Sequence, residues 1–364
     1  MRRSFFRTLQ IGALAAALVA ATSAASSAQS FPDPSDEAAL YAAAKKEGTL
    51  TWYQAGPLEP FRLIADAFEA KYPGIKVQIL KLSGVAQYQR FAQEAAAGQH
   101  IADHLLMSDR PSMDKLIEEG LIAEWRVPTI DRIPEHARHG EFAYAPATTV
   151  INIAYNTELV TPEEAEILGK TWKGVLDPRF KGRFAISNSK TGVSYGAVAL
   201  FMDPKYADEF GPEFLKQVVA QKPAMYTDNT VLLERVAAGE HDFAFWSWDA
   251  QSIFKWKQGA PIRFVHPSPT PMYSNFVLAV PKNAPHPNAG RLFQNWWFSE
   301  DGARALEQEF GSRSAMIGMP DTSPVVKEAW YDPVTEPYEI DMKRWEANYE
   351  NDMKVWHSIQ NAAR

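Results

Sequence analysis

Apolar positions along this chain switch between two periods, and the switches mark out its elements. Residues 36–46 are rich in helix formers, with acids first and lysines last as a helix dipole prefers, and Gly48 stops them. Residues 50–53 read as a strand and 54–57 as its turn. Residues 58–72 are amphipathic at helical spacing and end at Pro73-Gly74, and residues 75–80 alternate as a strand. The rhythm repeats as a helix over 86–97, a strand over 103–107 and a helix over 112–119, closed by Gly120. A strand over 148–155 follows, then a helix beginning at Thr161. Next come a strand over 183–186, a small apolar helix over 195–202, a helix over 230–238 and a strand over 243–246. Residues 262–265 and 273–280 read as strands, 288–298 and 300–310 as helices, and the charged tail from Trp330 as helix-prone.

Strands alternating with helices predict an α/β fold built as two lobes, each a mainly parallel sheet flanked by helices. The chain is expected to cross a hinge twice, at 148–156 and at 265–280. That assigns residues 29–147 plus 281–364 to the first lobe and 157–264 to the second.

Composition narrows the function. The 364 residues carry a net charge of −7 with no basic stripe, so nucleic acid is not an expected partner. The chain has no cysteine, which removes disulfides, thiolate metal sites and a cysteine nucleophile. Residues 1–28 read as a signal peptide. Arg2, Arg3 and Arg7 form a basic start, 11–21 a short apolar core, and Ser26-Ser27-Ala28 a small-residue cleavage site. The expectation is an exported, periplasmic protein; the paired arginines leave both the general secretory and the twin-arginine routes open.

In open α/β sheets, ligands sit beyond the carboxyl ends of strands, where helix starts present unpaired N–H groups. Four such points stand out. They are Tyr53-Gln54-Ala55-Gly56, Ser108-Asp109-Arg110, Lys190-Thr191-Gly192-Val193, and the end of 243–246 running into Ser247-Trp248-Asp249, with Trp52 and Trp246 near them. The third lies in the turn between a strand and a small-residue helix, where amides and hydroxyls suit an anion. Arg110 would add a forked contact from the other lobe, and the aromatic residues would sandwich an organic body. Asp249 would receive an amino or hydroxyl group of the ligand, or pair with Arg110.

An ordered series of segments resembles the solute-binding proteins of ABC importers, in the ferric-iron-binding-like group of extracellular solute-binding family 1. It comprises Leu50-Thr51-Trp52-Tyr53, residues 65–77, Ala154-Tyr155-Asn156-Thr157, residues 171–178, Lys181-Gly182-Arg183 and Ala237-Ala238-Gly239-Glu240. The resemblance implies a type II periplasmic-binding-protein fold, a small-molecule ligand and a permease partner in the inner membrane, with the protein acting as a monomer. Ferric-binding members hold iron with a tyrosine pair after the strand matching 243–246. Here that place falls on Asp249 and Ala250, and the 54–57 turn has no histidine. The resemblance also implies a partner-anion pocket, matched by Thr191, Gly192 and Val193, with Asn229 and Ser247 as further donors. The reading is therefore capture of a small anionic organic solute, a carboxylate, phosphate or phosphonate, with no cofactor, no metal site and no catalysis. Ferric ion or a ferric chelate is the alternative cargo, and a cationic guest such as a polyamine would use Asp249 and Trp248. Gly192-Val193-Ser194-Tyr195-Gly196 also fits the nucleophile-elbow pattern of a serine hydrolase. That elbow needs its strand to run straight into the serine, and residues 188–191 intervene.

Overall fold

The computed structural model describes residues 31–82, 84–108, 110–188, 193–274, 276–334 and 337–362. The predicted leader and the predicted site residues Asp109, Thr191 and Gly192 lie outside the described residues. From Pro32 onward the chain forms a single unit.

Its strands, in chain order, are β1 Thr49–Gln54, β2 Lys76–Lys81, β3 His104–Met107, β4 Arg138–His139, β5 Ala143–Tyr144, β6 Ala147–Asn156 and β7 Phe184–Ser187. They continue with β8 Ala224–Tyr226, β9 Phe243–Trp248, β10 Ile262–Val265, β11 Thr270–Tyr273, β12 Val277–Ala279, β13 Arg313–Ser314 and β14 Pro337–Glu339. They make two sheets with helices packed on them. One runs β2-β1-β3-β12-β5-β4; the other runs β14-β11-β6-β9-β7-β8, with β10 and β13 also on β6. The α/β architecture of two helix-flanked sheets is as the periodicity predicts.

Strand–helix units give the parallel half of each sheet: β1 pairs parallel with β2 and β3, and β7 with β8 and β9. The crossing strands supply the other half. The outgoing β6 pairs antiparallel with β9, β10, β11 and β13, and the returning β12 antiparallel with β3 and β5. Both sheets are therefore mixed rather than mainly parallel, because a strand that changes sheets cannot enter through a right-handed helical crossover.

Local chemistry sets the helix ends. Asp36 accepts from the Ala39 amide at 2.9 Å to start the helix Glu37–Glu47, and Gly48 ends it at φ 73°. Thr161 and Glu164 form a reciprocal capping box on Pro162–Lys170. Asp228 accepts from the Thr230 and Val231 amides and so fixes Asn229 as the first residue of Asn229–Ala237.

The tail departs from the expected lobe assignment. Tyr338, Ile340, Trp345, Met353, Trp356 and Ile359 share a core with Phe201, Phe245 and Trp246 on the second sheet. The residues from 337 onward thus pack with the second sheet rather than the first. Their aromatic spacing supplies the reason: Trp345 and Trp356 are both fully buried there.

Candidate functional site

The carboxyl ends of the strands bring most of the predicted residues together, but not all of them face outward. On β1, Trp52 is buried against Phe61, Phe293 and Trp297, with ring centroids at 5.7, 5.1 and 5.7 Å. Tyr53 is buried on the opposite face. Its hydroxyl meets the Glu94 carboxylate at 3.0 Å, and burial first, then that carboxylate, push the phenol up to about 12. Both aromatic rings build core, a correction to the sequence reading that set them beside a ligand. The alternation that exposes one face of a strand buries both when helices cover each side. Gln54 is also buried, and neither atom of its amide meets a hydrogen-bond partner.

On β9 the same correction applies to Trp246, which is fully buried and donates to the Ser187 carbonyl at 3.2 Å. Ser247 is buried, with a hydroxyl that meets no partner. Trp248 is half-buried and joins Asp249 in lining a small chamber of about 10 Å³ with Thr148, Thr149, Phe310, Ser312 and Arg313. That is room for one water, not for an organic guest.

Asp249 does not pair with Arg110. Its Oδ1 accepts from Asn152 Nδ2 at 2.9 Å and lies 2.8 Å from His266 Nε2. His266 Nδ1 is 2.9 Å from the Asp332 carbonyl. Burial pushes this imidazole down, but the Asp249 charge, its hydrogen bond and the Asp332 carbonyl together outweigh burial and hold it above its ordinary value. Nothing in the sequence singled out His266; only the pairing of β6 with both β9 and β10 brings it to Asp249. Arg313 extends the cluster, reaching Asp321 at 2.9 Å and the Tyr331 hydroxyl at 2.9 Å.

Asn229 sits at its helix start and donates to Gln251 Oε1 at 2.5 Å. Val193 opens the helix Val193–Phe201. Ser194, in the elbow-like motif, is buried and donates to the Ser187 carbonyl at 2.9 Å, which anchors the start of this helix to the end of β7. Gly196 in the same motif has a packing reason: a Cβ there would come within 2.3 Å of the Tyr273 ring. Among the described residues, no group of three or more His, Asp or Glu side chains is placed to hold a metal ion.

A cleft of about 460 Å³ opens beside Arg110. Arg110 begins the helix Arg110–Glu118 just past β3 and the half-buried Ser108, and its Nη1 donates to the His136 carbonyl at 3.1 Å. Across the cleft lie Tyr273 and Ser274 at the end of β11, Glu339 on β14, and Ile340, Asp341 and Lys343. One wall thus follows a strand of the first sheet and the other belongs to the second. Sequence reasoning found Arg110 and missed the opposite wall, because no motif marks residues 337–343 as anything but a tail.

Residues 50–311 match the family of bacterial extracellular solute-binding proteins. This chain belongs to that family. As a member it is the solute-binding component of an ABC transporter and takes a small-molecule ligand. The matched region stops at Gly311, so β13, β14 and the C-terminal helix Met342–Ala362 lie past it. The fold is similar to that of a substrate binding protein of the ABC transporter from Agrobacterium tumefaciens: TM-score 0.68, 19% identity, 86% of this chain and 94% of that one. It is similar to iron-bound HitA from Pseudomonas aeruginosa, with TM-score 0.67, 21% identity, and 85% and 99% of the two chains covered. It is also similar to the periplasmic binding protein AfuA from Actinobacillus pleuropneumoniae with fructose-6-phosphate bound: TM-score 0.66, 19% identity, 86% and 99% covered. Two of these relatives hold different cargoes, iron and fructose-6-phosphate, on one fold, so the cargo of this chain has to be argued from the site.

Proposed function

We propose that this chain is a monomeric periplasmic capture protein that holds a small anionic organic solute between its two sheets and delivers it to an inner-membrane permease. The observation that carries this reading is the roughly 460 Å³ cleft with Arg110 on one wall and Lys343 on the other. Its volume falls in the range of small-molecule sites. Glu339 and Asp341 share this lining, so the reading leans on geometry more than on net charge: a guanidinium offers a carboxylate or phosphate a forked pair of donors. Asn229 and Ser247, at the strand and helix ends of the second sheet, are further donors in this reading. Capture works by differential affinity: the guest stabilises the closed arrangement by as much as its contacts there exceed those in the open one. The leader predicted for residues 1–28 supports export to the periplasm.

The iron reading finds less support. Hard ferric ion asks for anionic oxygens, and Asp249, at the place of the family's tyrosine pair, is engaged by Asn152 and His266. Native mass spectrometry of protein isolated gently from the periplasm tests the proposal. It expects a co-purified organic anion of a few hundred daltons; ferric ion alone, or an organic cation, would overturn it.

A further inference from the structure

The segment past the family match does more than cover the second sheet. Its residues Glu339, Ile340, Asp341 and Lys343 form one wall of the cleft, facing Arg110 and His136. Ser274 also lines the cleft; it is 3% exposed, and its hydroxyl meets no hydrogen-bond partner among the described residues. A buried hydroxyl without a partner is costly, and where such a group lines a cavity a guest atom can satisfy it. The wall also carries two exposed carboxylates, each with a local hydrogen-bond partner. Glu339 is 2.9 Å from His136 Nδ1, and Asp341 Oδ1 accepts from the Arg344 amide at 2.9 Å. Lys343 is an exposed cation on the first turn of the C-terminal helix. Arg110 is steadied by the His136 carbonyl, which keeps its guanidinium at the cleft.

We infer that the C-terminal segment completes an oxyanion subsite, lined by the Ser274 hydroxyl and with Arg110 and Lys343 on opposite walls. The chemistry suits a tetrahedral phosphate monoester better than a flat carboxylate. A phosphate monoester offers three terminal oxygens to the three donors of this lining, and its second charge gives Lys343 a partner that a single carboxylate would not. This inference rests on the anion-capture reading and deepens it by naming the guest's head group and the residues from outside the family match that hold it.

The test uses the mature full chain, with glycerol 2-phosphate, inorganic phosphate and citrate as probes, read by thermal shift and isothermal calorimetry. Glycerol 2-phosphate should bind more tightly than citrate, and inorganic phosphate should compete with it. Lys343→Gln and Ser274→Ala should each weaken glycerol 2-phosphate by about tenfold, the worth of one charge-assisted hydrogen bond. Neither change should lower the melting temperature of the empty protein, since one removes an exposed cation and the other an unsatisfied hydroxyl. If phosphate esters bind but neither variant weakens them while Asn229→Ala does, the subsite is wrong and the anion reading stands. If none of the three anions binds the wild-type chain, both fall.

Discussion

His266 Nε2 lies 2.8 Å from Asp249 Oδ1, with both side chains nearly sealed from solvent. The pair ties the carboxyl end of β9 to the segment just after β10. Removing one member of a buried pair leaves the other charge uncompensated, so His266→Ala should cost about 3 kcal/mol in urea unfolding. The folded chain holds the imidazole proton more tightly than the unfolded chain, whose value is near 6.5. The stabilisation is therefore full below that value and lost as pH rises through the higher folded one. The gap between wild type and His266→Ala should narrow on going from acid to alkaline pH. A gap that widens would show that His266 is held neutral.

His104 should behave with the opposite sign. It is fully buried on β3 with Nε2 2.6 Å from Gln294 Oε1, and burial pushes it down to about 3. A depressed value means stability that is full above the unfolded value near 6.5 and drains as pH falls toward the folded one. His104→Asn, which cannot take up a proton, should flatten the acid limb of the stability profile between about pH 6 and pH 4. Urea midpoints at several pH values check this, and an unchanged acid limb would place the titration elsewhere.

The contrast between these two histidines shows what the sequence could and could not convey. Strand and helix positions were legible because periodicity is a local property, and β1, β3, β6, β7 and β9 fall where alternation places them. The inward turn of Trp52, Tyr53 and Trp246 was not, since a strand covered on both faces buries residues of either parity. Asp249 was legible as an odd acid but its partner was not, because His266 comes to it through the shared pairing of β6 with β9 and β10. Arg110 could be picked out as a cation at a strand end. The wall facing it could not, since residues 337–343 acquire meaning only by pairing β14 with β11.

Ser194 should prove chemically inert. Its hydroxyl is buried and donates to the Ser187 carbonyl. A fluorophosphonate probe should leave it unlabelled, and Ser194→Ala should cost about 1 kcal/mol of stability, the worth of one intramolecular hydrogen bond. Stoichiometric labelling at this position would revive the hydrolase reading.

Gly196→Ala tests the contact between the second-sheet helix and β11. The added Cβ would approach Tyr273 Cε1 to 2.3 Å, well inside contact distance, so ring or backbone has to move. Overpacking of this kind costs about 1–3 kcal/mol. Tyr273→Leu in the same chain should return part of that loss, because the second change removes the atoms the first one strikes. Additive losses in the double variant would mean that the clash is relieved elsewhere.

The C-terminal helix should be integral to the second sheet. Trp356 is fully buried with its ring 5.4 Å from that of Trp246, which in turn packs on Phe201 and Phe245. Trp356→Ala would open a cavity in that core and cost about 3–5 kcal/mol. The same change should weaken anion binding only indirectly, by loosening the wall that carries Lys343. At a temperature where the variant remains folded, its affinity for glycerol 2-phosphate should therefore fall less than that of Lys343→Gln. Urea unfolding and calorimetry on the two variants separate the effects. A Trp356→Ala protein as stable as wild type would mean that this helix only rests on the sheet.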